Sequence, residues 1–495
     1  MPPTRQMGFF TSWLILVFPM LLSMTIAAAH PLYLSFLLLM PTALVLRYPK
    51  MEMGTPLPSS QPASPAAQIR MPAGAFLREG GSEGKLKARL PPLPALTTYR
   101  AHMMLMTVLA ILAVDFPVFP RSLAKCETFG MDLGVGSFVF SQGIVSAIPL
   151  VKDASYLQSA FLPKLLKVTR KSLPIIALGL VRVLLIKGTE YPEHVTEYGV
   201  HWNFFVTLAL LPVLQVFLHP LLVRLPISMV GVLVGIVQQV ALSHPRTSLV
   251  SANKEGLVSL LGYLSIQLLG LSAGTLILPP SPSYFRRQAV SEADWTSPRQ
   301  LDKTATELCA YAILWWSLLG LARLARVDGR WSRGKVNVSY ILWIAAFNDS
   351  FILLYLVILD LWIFGRATPP TSSEARHHKR KMSDLRSKAA EAEGSGTTAA
   401  AYFGLSTAAN DARQVQTRRD VGNPPVLLEV MNRYGLVVFL LANVLTGLIN
   451  LTMSTMYMSD GAAMLVLSVY SLICCAVPWV WSRWMTDRIA KVKYS

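Results

Sequence analysis

Residues 200–242 read VHWNFFVTLALLPVLQVFLHPLLVRLPISMVGVLVGIVQQVAL, and Arg224 is the one Lys, Arg, Asp or Glu among them. A helix of about 20 apolar residues crosses the hydrocarbon core of a bilayer, so this run is long enough for two crossings that meet near Arg224. Comparable runs cover 9–28, 31–47, 100–117, 132–150, 172–187, 256–278, 305–325, 338–364, 433–454 and 461–482. The pattern predicts one all-α polytopic integral membrane domain over residues 1–495, with about 12–13 transmembrane helices. In lipid, an ionisable group in or beside a span needs a partner or a task.

Composition agrees. The 495-residue chain is 53% hydrophobic and 15% charged, against about 25% charged in soluble domains. Its net charge is +18, from 45 Lys and Arg against 27 Asp and Glu. Basic residues held in cytosolic loops explain that excess, and no nucleic-acid motif competes with this reading. Cys126, Cys309, Cys474 and Cys475 do not make a disulfide framework: three lie in apolar runs and two are adjacent. Metal-ligand spacings and glycine-rich phosphate loops are absent, so no metal or resident cofactor is expected.

Two segments, 51–96 and 366–425, are rich in Pro, Ser, Gly, Ala or charge. They cannot bury enough apolar surface to offset ordering entropy, and are expected to be disordered cytosolic linkers. The amphipathic stretch 154–168 is expected to lie on the membrane surface.

Near the C-terminus, Lys491 and Lys493 resemble a dilysine retrieval signal of endoplasmic reticulum membrane proteins. Both that reading and simple positive-inside anchoring put this end in the cytosol. Counting back makes loops 48–99, 151–171, 281–304 and 366–431 cytosolic and loops 118–131, 188–199, 243–255 and 454–460 lumenal. Segment 326–337, with Arg326, Arg330, Arg333 and Lys335, falls on the lumenal side against the charge rule. Either the boundary of span 338–364 is misplaced or this loop is an exception.

Two polar loops share the lumenal face. The first holds Asp115, Arg121, Lys125, Glu127 and Asp132, followed by Gly134, Gly136 and Ser137; small residues let helices approach closely. Asp132 either caps its helix or serves chemistry, and Lys125 with Glu127 reads also as an interfacial ion pair. The second holds Glu190, Glu193, His194, Glu197, His201 and Asn203. Glu197 and His201, four apart, share a helix face, so the carboxylate can orient the imidazole. Arg182, inside a span, needs an acidic or carbonyl partner or holds a phosphate. A third cluster, Asn443, Thr446, Gly447 and Asn450, forms a polar stripe that reads as helix–helix glue or as a binding surface. Asn337 is a candidate glycosylation sequon; the sequon at Asn450 lies within a span.

Three stretches, FPRSLAKCETFGMDLGVGSFVFSQGIVSA, KGTEYPEHVTEYGVHWNFF and NRYGLVVFLLANVLTGLINLTMST, together resemble the inositol acyltransferases of GPI-anchor biosynthesis, the fungal GPI-anchored wall transfer protein family. The resemblance implies an endoplasmic reticulum enzyme that moves palmitoyl from palmitoyl-CoA, a substrate and not a cofactor, to the inositol 2-hydroxyl of glucosaminyl-phosphatidylinositol. It also implies 13 spans with the shared loops lumenal. On this reading Asp132 or His201 is the base, Glu197 orients His201, and Lys125 assists. Arg121, Glu127, Ser137, Arg182, Asn203, Asn443 and Asn450 bind substrate. The rival class is a membrane lipid transporter or flippase that uses the same polar groups for binding.

Overall fold

The computed structural model describes residues 7–30, 32–36, 39–40, 93–121, 129–186, 203–243, 256, 259–285, 299–327, 335–363 and 424–494. Among these residues the secondary structure is helical, and eight helices are long and apolar enough to cross a membrane. Residues 51–92 and 366–423 of the two expected linkers lie outside the described residues, as does most of span 31–47.

The helices follow the apolar runs. Helices α1 (Phe9–Leu16) and α2 (Phe18–Met24) meet at Val17, just before Pro19. Helix α3 (Pro94–Ala113) begins on Pro at its first position, where the missing N–H costs nothing. The expected linker therefore stops short of residue 96, and Ala95 is fully buried. Helix α4 (Phe129–Lys152) is followed by α5 (Phe161–Ile186), α6 (Phe204–Arg224) and α7 (Ile227–Ser243). The remaining helices are α8 (Ser259–Ile277), α9 (Leu301–Leu324), α10 (Val338–Tyr355, continuing as a π turn over Leu356–Ile363), α11 (Val426–Arg433), α12 (Gly435–Thr452) and α13 (Asp460–Tyr494).

Helix α8 is the central post: 89% of its apolar window is buried, against 17% for α12. It crosses α4 without side chains between the backbones. A methyl added at Gly143 would run into the Gln267 carbonyl, and one at Gly270 into the Phe140 carbonyl. Without a hydrophobic drive between helices in lipid, such close backbone packing is the main attraction available.

Two apolar cores result. One gathers α4, α6, α7, α8, α9 and α10 around residues such as Phe140, Ile144, Ile266 and Ile344. The other gathers α1, α2, α11, α12 and α13 around Leu21, Leu109, Met431 and Tyr470, with Trp13 Nε1 donating to Ser471 Oγ at 3.2 Å. Helix α3 belongs to both, through Leu96 and Tyr99 on one side and Leu105 and Leu109 on the other. Across the seam between the lobes, Phe439 of α12 meets Phe138 of α4 and Phe205 of α6 at ring-centre distances of 6.3 and 5.7 Å.

Two further sequence expectations are corrected. Stretch 154–168 is not a separate surface helix: after a 3-10 turn (Ala154–Gln158), residues from Phe161 onward form the first turns of α5. Lys164 is buried there, donates to the Leu157 carbonyl at 3.0 Å and sits 3.2 Å from His219 Nδ1. Burial lowers the pKa of its ammonium below the usual lysine range. Asn337 is the buried N-cap of α10, its side chain accepting from Tyr340 N at 3.2 Å, so it is not presented for glycosylation. The helix boundary at Val338 stands. Gln238 Nε2 donates to the Lys335 carbonyl at 2.8 Å and Val338 N to Gln239 Oε1 at 3.2 Å. These bonds hold segment 335–338 at the end of the bundle where α7 finishes.

The α4–α8 crossing predicts a sharp contrast. Gly270→Ala is expected to destabilise the protein by about 1–3 kcal/mol through overpacking, whereas Gly447→Ala, which meets open space, is expected to stay within about 0.5 kcal/mol of the parent. Unfolding midpoints in detergent check it; equal effects would remove the crossing from its central place.

Candidate functional site

Asp115 and Arg121 follow the close of α3 and Asn450 lies at the close of α12, while Asp132 and Asn203 stand at the starts of α4 and α6. Asn450 Nδ2 donates to Asp115 Oδ2 at 2.8 Å across 335 residues of sequence, joining the first polar loop to the third cluster. Arg121 turns back on the chain it follows. Its guanidinium donates to the carbonyls of Val114 (2.9 Å), Phe116 and Phe119 (3.2 Å), and leans on Met456 Sδ. It thus satisfies carbonyls left open past the end of α3.

Asp132 is fully buried and lies in the first turn of α4, three residues inside the helix start. It is therefore not the N-cap, although an acid in the first turn suits the helix dipole. Its backbone carbonyl accepts from the Tyr340 hydroxyl at 2.6 Å, which pins the turn to α10. Gly136, one turn on, leaves room for that phenol: a methyl there would stand 2.9 Å from the Tyr340 oxygen. Ser137 is buried on a different face, about 140° round the helix from Asp132.

Asn203 is the N-cap of α6. Its side-chain oxygen accepts from Val206 N at 3.1 Å and its amide donates to the Gly179 carbonyl of α5 at 2.8 Å. The expected polar stripe on α12 divides. Asn450 reaches Asp115 and Thr446 is buried, but Asn443 donates to its own helix at Phe439 O (2.7 Å) and Gly447 faces open space. Arg182 belongs to α5. Lys125, Glu127, Glu190, Glu193, His194, Glu197 and His201 lie outside the described residues.

A second polar layer, deeper in the bundle, was not read from the sequence. Tyr99 donates to Asn348 Oδ1, and Asn348 donates to the Ile344 carbonyl at 2.7 Å. Trp315 Nε1 donates to Asp349 Oδ2 at 3.0 Å, while Oδ1 of the same carboxyl has no hydrogen-bond partner among the described residues. His102 Nδ1 lies 2.6 Å from the Tyr355 hydroxyl, and Arg100 Nε donates to Ser141 Oγ at 3.1 Å. The signal was available: Asn348-Asp349 interrupts a span of mean hydropathy 2.0, where an acid asks for an explanation.

At the opposite end of the bundle Asp360, on the π turn, accepts from Ala95 N at 3.3 Å, capping α3, which has no side-chain cap of its own. Arg299 donates to the Ile277 and Leu278 carbonyls at 3.2 and 2.9 Å and so closes the C-terminus of α8. Burial brings the Arg299 guanidinium down to about 10, opposed by attraction to Asp360, so it stays charged at neutral pH. Among the described cysteines, Cys309, Cys474 and Cys475 are free thiols.

This arrangement of spans and polar ends can be set beside known proteins. The sequence pattern of the GWT1 family matches residues 1–481. The chain belongs to the GWT1 family. Among curated relatives, the GPI-anchored wall transfer protein 1 of Gibberella zeae is 34% identical over 495 residues, covering 95% of this chain and 86% of that protein. The one from Aspergillus fumigatus is 34% identical over 500 residues, covering 96% and 87%. That of Cryptococcus neoformans var. grubii is 40% identical over 420 residues, or 78% of this chain. The match spans only 62% of the length of that GWT1-family relative.

The Asp115–Asn450 bond is testable apart from any activity. Asn450→Leu is expected to destabilise by about 1 kcal/mol, and by less in an Asp115→Leu background. A double-mutant cycle in detergent measures the difference, and strict additivity would show that the bond contributes nothing.

Proposed function

We propose that this protein acts in GPI-anchor biosynthesis as an O-acyltransferase. It moves a palmitoyl group from palmitoyl-CoA to the inositol 2-hydroxyl of glucosaminyl-phosphatidylinositol in the endoplasmic reticulum membrane, with its C-terminus cytosolic. The observation that carries the proposal is membership of the GWT1 family over residues 1–481, with relatives named for GPI-anchored wall transfer. The burial of Asp132 at a bundle end lends it chemical support.

An inositol hydroxyl is a weak nucleophile and needs a base within hydrogen-bond reach. In this mechanism Asp132 or His201 takes the hydroxyl proton, with Glu197 orienting His201. The alkoxide oxygen bonds to the thioester carbon, the carbon–sulfur bond breaks, and the proton passes to the CoA thiolate. Lys125 supplies a donor for the oxyanion. The groups assigned to substrate are Arg121, Glu127, Ser137, Arg182, Asn203, Asn443 and Asn450. Of these, Arg121 and Asn203 are tied to backbone carbonyls, and they shape the loops that meet the substrate.

The test is transfer of labelled palmitoyl from palmitoyl-CoA to glucosaminyl-phosphatidylinositol by pure protein. Asp132→Asn is expected to lower kcat by about 100-fold or more with the fold intact; a full rate would remove Asp132 from the chemistry. Folded wild type that transfers no label, yet moves the inositol lipid between leaflets, would replace the proposal with the transporter reading.

A further inference from the structure

Arg100 is a cation without a described counter-ion inside a membrane span. It is the seventh residue of α3, and its Nε donates to Ser141 Oγ of α4. Among the described residues no carboxylate pairs with it. The two buried acids of the α10 segment serve other groups: Asp349 accepts from Trp315 and Asp360 from the Ala95 amide. A guanidinium held in this way is costly in a low-dielectric interior and marks a site for an anion.

The surroundings suit one. Helices α3 and α4 run antiparallel here. Thr107 Oγ1 stands 3.8 Å from where a methyl on Gly134 would be, and Arg100 meets Ser141 two turns further along each helix. Gly134, Ser137 and Ser141 therefore share the stripe of α4 that faces α3, which carries two hydroxyls. Across the seam stands the Phe439 ring. Arg100 is only partly buried, and its planar fork has donors to spare for the oxygens of a phosphate.

We propose that Arg100 and Ser141 form a phosphate-ester subsite in the seam between the two lobes. The esters concerned are the phosphates of CoA or the phosphodiester of the inositol lipid; naming either as substrate rests on the acyl-transfer reading, whereas phosphate recognition does not. Length favours CoA. Ser141 lies nine residues beyond Asp132, about 14 Å along the helix axis. The pantetheine arm, a chain of about twelve bonds with two amides, extends about 14 Å at peptide spacing. A thioester at the level of Asp132 thus sets the CoA pyrophosphate at the level of Arg100.

Binding by full-length protein in detergent, measured without turnover, tests the subsite with three probes: palmitoyl-CoA, palmitoyl-pantetheine and phosphatidylinositol. Arg100→Gln is expected to weaken palmitoyl-CoA at least tenfold and to leave the other two unchanged. Weakening of phosphatidylinositol alone keeps the subsite and assigns it to the phosphodiester. Unchanged binding of both phosphate probes by folded R100Q overturns the proposal. Ser141→Asp supplies the missing counter-ion within reach of the guanidinium. It is expected to fold at least as well as wild type and to lose the same tenfold or more, and intact phosphate binding by S141D also overturns the proposal. Because no step requires turnover, a protein that binds phosphate but transfers no acyl group defeats the enzymatic reading and leaves the subsite standing.

Discussion

The backbone contact of α4 with α8 is the constraint from which the other positions follow. Gly143 on one side and Gly270 on the other bring main-chain carbonyls against bare Cα atoms, an approach that any larger residue forbids. Once α4 is fixed in this way, its first turn is fixed too, and Tyr340 ties that turn to α10. The buried position of Asp132 thus depends on a glycine about three turns away on its own helix and on another in α8. Helix α8, wrapped on nearly all sides, gives the larger lobe a rigid axis.

The helices were legible because lipid leaves little choice. A span needs about 20 apolar residues with its backbone satisfied internally, and the expected crossings with enough described residues fall on helices, although 9–28 is divided between α1, α2 and a 3-10 turn. The amphipathic stretch 154–168 reads as one segment because a lysine beside apolar residues resembles an interfacial pattern, but it is divided between a 3-10 turn and the first turns of α5. The ammonium of Lys164 instead folds inward to a carbonyl and to His219. At the candidate site, Asp132 and Asn450 could be singled out as polar residues at span ends. Their partners could not: Asp115 finds Asn450, and Tyr340 finds the Asp132 carbonyl, over separations of hundreds of residues with no periodic trace. The Asn348–Asp349 pair went unread because one acid barely lowers the hydropathy of a long apolar window.

Polar groups inside the bundle divide into two kinds. Most are closed pairs, such as Tyr99 with Asn348 or His102 with Tyr355, which hold helices in register where apolar contact alone discriminates poorly. Others retain unused capacity, as do the free oxygen of Asp349 and the remaining donors of Arg100. Residues of the second kind give no extra adhesion for the desolvation they suffer. They lie on α3, which the two lobes share, and on α10 of the larger lobe.

The bond between Trp13 and Ser471 spans 458 residues of sequence. At a ribosomal pace of about 5–20 residues per second, α1 waits roughly 25–90 seconds in the bilayer before α13 emerges to receive it. During that interval the smaller lobe has no finished interior, and an indole N–H lacks its hydroxyl acceptor. Newly made chains therefore pass through a long immature stage in which the helix faces that α13 will cover stay open.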